Sequence, residues 1–238
     1  MDDSKSAKTP AQAGREARQA AALRENLKRR KQQARGRAAQ DGALACAATL
    51  RAFWFGAEGS REFGRMRDAW FKKDDAFDDL CRGFHDDYAC AARSEYDALM
   101  ETPASAVALV VLLDQLPRNM FRGTARAFTG DAKALTVAAH AVDRGFDKLV
   151  PPVERMFLYL PFEHSESLVD QHRSVALFES LPVTPNFSAP DRDNTVDYAR
   201  RHLAVIERFG RFPHRNAALG RTSTAEELAF LQGPNSSF

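Results

Sequence analysis

The sequence predicts an all-α fold, and three observations predict it. From Asp41 onward, apolar residues recur with the period of an α-helix in nearly every segment. These segments start and stop at recognisable caps: Thr102 ahead of Pro103 at one start, Gly145 and Gly210 at two ends. No segment alternates apolar and polar residues over a useful strand length, and no Asn-Gly or Asp-Gly pair joins two such segments as a hairpin. No repeat of fixed period occurs. The expectation is about nine helices and no β-sheet.

The first element is an arm. Residues 1–40 carry eleven Lys/Arg against four Asp/Glu, and the remaining residues carry twenty-three against twenty-eight, so a formal charge of +2 hides a basic arm of +7. The stretch REARQAAALRENLKRRKQQARGR has good helix formers, but Leu23 and Leu27 are its only large apolar residues. It has too little apolar surface to bury a face, so 1–40 is expected to be a flexible or frayed-helical basic arm, and 41–238 a single domain. The candidate partners of the arm are polyanions (nucleic acid or anionic lipid) and acidic proteins. The arm has no aromatic residue to stack on bases, which counts against single-strand binding.

The domain follows helix by helix. Shorter helices are expected at 42–55 and 60–71. A long one is expected over 75–100, with Phe77, Leu80, Cys81, Phe84, Tyr88, Ala91, Ala92, Tyr96 and Leu99 on one stripe. The run TPASAVALVVLLDQ is apolar all round, so the helix 103–115 is expected to be the most buried. A Thr129/Asp131 cap opens the next helix, which stops at Gly145. Val153, Met156, Phe157 and Leu160 share a face of another, which Pro161 is expected to end. SLVDQHRSVALFESL and TVDYARRHLAVIERFG supply two more, and Ser223 with Glu226 has capping-box spacing ahead of a last helix over 224–231.

Length and composition exclude some classes. No apolar stretch approaches the roughly 20 residues of a membrane span, and the first forty residues hold no signal-peptide core. Cys46, Cys81 and Cys90 form no CxxC pair, which fits a reducing compartment; a cytoplasmic location is expected. The patterns GxSxG, GxGxxG and the P-loop are absent.

Three polar clusters interrupt the apolar framework: LLDQLPRNMFRGTARAF at 112–128, LYLPFEHSES at 158–167, and RFGRFPHRNAALGRTSTAEE at 208–227. In the first, Asp114 follows a helix expected to be buried and needs a cationic partner, which Arg118, Arg122 or Arg211 can supply. Gln115 and Asn119 flank it. In the second, Glu163, His164 and Glu166 allow three readings. They start a helix after the break at Pro161, with Ser165 or Ser167 as cap; they hold a metal; or they meet the arginines of the other clusters in a buried polar site. Metal is disfavoured because His164 and His172 are eight apart, unlike any known ligand spacing, so no metal or cofactor is expected. The third is dense in Arg208, Arg211, His214, Arg215, Asn216 and Arg221. Phe209 and Phe212 argue against full exposure there. If proton transfer occurs, His164, His202 and His214 are the candidates, with Glu163 or Glu166 orienting them.

FWFG, DQLPRNMFRGTARAF, LPFEHSE and RFGRFPHRNAALGRTSTAEELAFL, in that order from about Leu50 to Phe238, resemble an uncharacterised bacterial family catalogued as domain of unknown function nine hundred and twenty-four. The resemblance implies a TPR-like stack of antiparallel helix pairs and assigns no activity. Leu116 stands where the family more often has Phe, and residues 1–40 fall outside the match. The functional expectation is a binding domain whose polar site takes a small anionic ligand or a peptide, with Asp114, Gln115, Arg118, Asn119, Arg122, Arg208, Arg211, His214, Arg215 and Asn216 as its candidate contacts. A His/Glu-dependent hydrolase and a purely structural scaffold are the alternatives.

Overall fold

The computed structural model describes residues 10–234 and Ser236. Among them are ten α-helices and no strand, only an isolated bridge between Thr184 and Phe187. The helices are α1 (Pro10–Phe55), α2 (Asp75–Arg82), α3 (His85–Ala92), α4 (Pro103–Val110), α5 (Leu116–Met120), α6 (Asp131–Asp143), α7 (Pro152–Glu163), α8 (Leu168–Glu179), α9 (Ala189–Phe209) and α10 (Ala225–Leu231). No helix is long and apolar enough to cross a membrane among the described residues.

Two units are compact in themselves, Met1–Gly42 and Ala43–Phe238. In the first, α1 runs unbroken from Pro10, and the described side chains between 25 and 42 are all exposed. The helix expected to begin at Gly42 is therefore a continuation. A glycine costs a helix interior only about 1 kcal/mol and does not stop it. Residues 1–9 of the expected arm lie outside the described residues.

In the second unit, Ala43, Cys46, Ala47, Leu50 and Trp54 form the buried stripe of α1, at the spacing of one helical face. Trp54 stacks on Trp70 and meets Phe157 edge-on, 6.2 and 5.8 Å between ring centroids. Helices α6, α7, α8 and α9 each pack on the next in chain order.

Several expectations are corrected. Residues 60–64 form a bend and a turn, 65–67 are irregular, and a 3-10 turn at Asp68–Trp70 replaces the expected helix. The long helix over 75–100 is three pieces, broken at Gly83–Phe84 and again near Ser94, whose φ is +68°. Leu80 and Ala92, expected on the stripe, are exposed, Leu80 to 60%. Pro161 does not end its helix, because α7 continues through it to Glu163. Proline there removes one helical hydrogen bond, but Val153, Met156, Phe157, Leu158 and Phe162 of the same helix are all buried, and their packing outweighs one lost bond. The last capping box is one residue later than expected: Thr224 caps α10 and Glu227 returns the bond.

The apolar column at 103–115 is the most deeply buried segment, with Ala106 through Leu113 at no more than 1% exposure. Its last turn, Val111–Gln115, is a widened π turn between α4 and α5. Such a turn holds one extra residue and re-aims the side chains it carries. Those are Asp114 and Gln115.

Candidate functional site

The site grows from the π turn. Asp114 is fully buried, and three donors meet it: His164 Nδ1 at 2.8 Å from Oδ1, Gln115 Nε2 at 2.6 Å from Oδ2, and Arg118 Nη1 at 3.3 Å. Burial alone would raise its pKa. The charge of Arg118 and the hydrogen bonds from His164 and Gln115 outweigh burial and hold the carboxyl well below the usual range. Because Asp114 is ionised, His164 donates through Nδ1. Burial, with Arg118 next, depresses the His164 pKa, so the ring is neutral at pH 7 and carries its lone pair on Nε2. No hydrogen bond engages Nε2 among the described residues, and the ring is 12% exposed.

Arg118 donates to both oxygens of Asp131, at 3.0 and 3.2 Å, and Arg215 Nη1 reaches Asp131 Oδ2 at 3.1 Å. The approach of α6 depends on Gly130, where a Cβ would overlap the carbonyl oxygen of Leu113. Asp131 thus bridges two arginines. Sequence reasoning treated it as a helix cap and did not place it in the site; no spacing signal marks it. Arg215 is 6% exposed, and its guanidinium lies 4.8 Å from the Phe128 ring and 4.5 Å from that of Phe212. Its Nε is buried without a hydrogen-bond partner among the described residues. Burial, then the charge of Arg118, lowers its pKa to about 10, still charged at pH 7.

Glu163 and His202 form the inner wall. Glu163 is the last residue of α7, not the first of a new helix, so the helix-start reading is corrected for it. No arginine meets it among the described residues. Its Oε1 lies 3.4 Å from His202 Nδ1, and its Oε2 has no partner among the described residues. Burial, then the negative charge of Asp114, raises the Glu163 pKa to about 8. The carbonyl end of α7 acts in the same direction. His202 donates Nδ1 to the Tyr198 carbonyl at 2.9 Å, and burial pushes its pKa well down. Both groups are neutral at pH 7, so their contact is not an ion pair. His214 lies against Phe212, 5.6 Å between rings, and burial with Arg215 lowers its pKa to about 3.

Glu166 ties the third cluster to this wall. It takes Arg221 at 2.7 and 2.9 Å and the Phe212 amide at 2.8 Å. Arg221 also donates to the Phe212 carbonyl at 3.0 Å.

The remaining candidates lie elsewhere. Asn119 and Arg122 both bind Asp78, at 2.7 Å and at 2.8 and 3.1 Å. Arg208 pairs with Glu226 on the surface. Arg211 grips Glu227 with two bonds, 2.6 and 2.8 Å, and Asn216 donates to Glu227 and Ser223. These three fasten the end of α9 to α10. They do not touch Asp114, which corrects the expectation of one site shared by Asp114, Arg208 and Arg211. No cluster of metal-ligand type exists among the described residues.

The centre that results is Asp114, Arg118, Asp131, His164 and Arg215, backed by Glu163, Gln115, His202 and His214. It can hold an anion against two guanidinium groups, and it can accept a proton at His164 Nε2, the nitrogen that a carboxylate at Nδ1 leaves basic.

A solved structure of a protein of unknown function from Agrobacterium tumefaciens, ATU0120, is similar to this chain at 39% identity and a TM-score of 0.69, with 80% of this chain and 99% of that one covered. No curated protein matches the chain. A family model described as a bacterial protein of unknown function matches residues 50–235, nearly the whole second unit, and the chain belongs to that family, DUF924.

Proposed function

We propose that the second unit is a binding domain for a small anion, held at the centre formed by Arg118, Arg215 and His164. One observation carries this reading. Arg215 is buried and charged, makes one hydrogen bond, and has an Nε without a partner among the described residues. A purely structural arginine in such a place commonly spends its fork on a carboxylate pair, as Arg118 does on Asp131. A carboxylate or phosphate-type oxygen satisfies the unused donors and offsets the cost of burying the charge. The TPR-like reading of the fold is supported by the consecutive packing of α6 through α9.

The test is thermal unfolding with phosphate, sulfate and a series of small carboxylates. Saturation about a hundredfold above Kd adds about 2.7 kcal/mol. For a domain of this size that is a rise of roughly 5–10 °C. The rise should vanish in His164→Gln. If no anion shifts the melting temperature, the centre is a helix lock and the ligand reading fails.

A second reading rests on the His164–Asp114 pair. An imidazole oriented at Nδ1 by a carboxylate, with Nε2 open, is the arrangement of a general base. Glu163, protonated at neutral pH, supplies an acid nearby. A hydrolase of this kind loses turnover in His164→Gln; ester hydrolysis that survives the substitution excludes it.

For residues 1–40 we keep the reading of a basic arm for a polyanion or acidic partner, supported by the exposure of its described side chains. Deleting 1–40 should leave the melting temperature within about 2 °C, because so little apolar surface resides there, and should abolish salt-sensitive retention on heparin. Unfolding of the truncated protein would place the arm in the core.

A further inference from the structure

A second cleft, of about 500 Å3, lies between α2 and the turn that follows α5. Four cations line it, Lys73, Arg82, Arg122 and Arg126, against two carboxylates, Asp75 and Asp78. It is separate from the centre described above because α5 sends consecutive residues to different faces. Arg118 goes to Asp131, and Asn119 goes to Asp78.

The four cations are not equivalent. Arg122 is committed to Asp78 through two hydrogen bonds, and Asn119 saturates the same carboxylate. Lys73 lies 3.4 Å from Asp75, and Arg82 pairs with Asp79 outside the lining. Both of these pairs are largely solvent-exposed, with every side chain more than half accessible. Such pairs are weakly held and exchange readily for a better anion. Arg126 has no ion pair among the described residues. Its guanidinium sits 3.8 Å over the ring of Phe121, which His85 and Tyr88 hold at 5.9 and 5.7 Å. It therefore presents a flat, charged, outward face.

We propose that this cleft binds a small phosphate monoester carrying a planar group, of which a nucleoside monophosphate is the common kind. The excess of two positive charges in the lining matches a phosphate monoester, which carries about −1.5 to −2 at pH 7. A monocarboxylate leaves half of that excess unmet. Lys73 and Arg82 give up their surface partners to the phosphate. The planar group stacks on Arg126, since guanidinium planes are platforms for bases. Arg122, Asn119 and Asp78 form the floor and do not rearrange.

The test is calorimetric titration of the full chain with adenosine monophosphate at low ionic strength. Saturable binding is expected, about tenfold or more tighter than adenosine or inorganic phosphate alone, and weakening with salt. Arg126→Glu and Lys73→Glu both change exposed side chains, so both fold, and each should weaken binding about tenfold or more. Arg200→Glu, which changes an exposed cation of α9 paired with Glu179 outside both sites, should bind adenosine monophosphate as wild type does. The proposal is overturned if adenosine monophosphate does not saturate, if inorganic phosphate alone binds as tightly, or if Arg126→Glu and Lys73→Glu bind like wild type.

Discussion

Replacing Asp114 by asparagine should lower the unfolding free energy by about 3–5 kcal/mol. The substitution keeps the shape, removes the charge and turns one acceptor oxygen into an NH2 donor that faces the donors of His164 or Gln115. In the wild type, Asp114 and Asp131 stand against Arg118 and Arg215, two carboxylates for two guanidinium groups. Without Asp114, one carboxylate must serve both arginines in a place where Arg215 is 7% accessible. His164 also loses the acceptor that fixes its tautomer. Glu226→Gln is the control, because its pair with Arg208 is 62% and 53% accessible and solvent screens it. That loss should stay near 1 kcal/mol. Chemical denaturation of the two variants at pH 7 checks the contrast. An Asp114→Asn loss under about 1 kcal/mol means the charge is solvated, and the buried centre is then wrong. The double variant Asp114→Asn, Arg118→Gln should recover part of the loss, with a coupling of roughly 0.5–3 kcal/mol.

Much of this was legible in the chain. The helical period and the caps at Gly145 and Gly210 place the ends of α6 and α9 correctly, because a left-handed glycine after a periodic run has few other uses, but α9 starts at Ala189 behind a Ser188 cap, six residues ahead of the expected Thr195. The same reasoning failed at 75–100, where the period persists across Gly83 although the backbone turns. Periodicity reports which residues are apolar, not whether the axis is straight. It failed at Pro161 for a related reason: a proline rule derived from isolated helices yields when every neighbour is packed. For the site, burial of Asp114 and its need for an arginine follow from its place at the end of an apolar column. The identity of the third-cluster arginine does not. Arg208, Arg211, Arg215 and Arg221 share one stretch of chain, and only the path of the loop decides that Arg215 turns inward while Arg211 closes on Glu227. Asp131 was hidden by its other role, since an acidic residue in a first helical turn needs no further explanation.

Glu163→Gln should stabilise the protein at pH 8 and leave it nearly unchanged at pH 4.5. One of the three sequence readings, in which Glu163 meets the arginines of the other clusters, implies the opposite, because a glutamate paired in that way is ionised. Among the described residues no arginine reaches Glu163, and its pKa rises from 4.5 to about 8. The sign follows from proton counting. Between those two values the unfolded chain has released this proton and the folded chain has kept it, so stability falls as pH rises. Its contribution is complete below pH 4.5 and gone above about pH 8. Glutamine keeps the neutral shape at every pH and removes the slope. Relative to wild type, the variant should gain progressively, reaching roughly 3–5 kcal/mol at pH 8. The acid side works the other way. His164, His202 and His214 are held neutral below their ordinary 6.5, His214 to about 3, so stability is lost as pH falls below 6.5, where the unfolded histidines take up protons. Wild type should therefore be most stable near pH 6.5, with both flanks descending, while Glu163→Gln keeps only the acid flank. Urea denaturation at pH 5, 6.5 and 8 measures both curves. A difference between them that does not change with pH, or a variant that loses stability as pH rises, would mean that Glu163 is ionised in the folded protein and has a cationic partner.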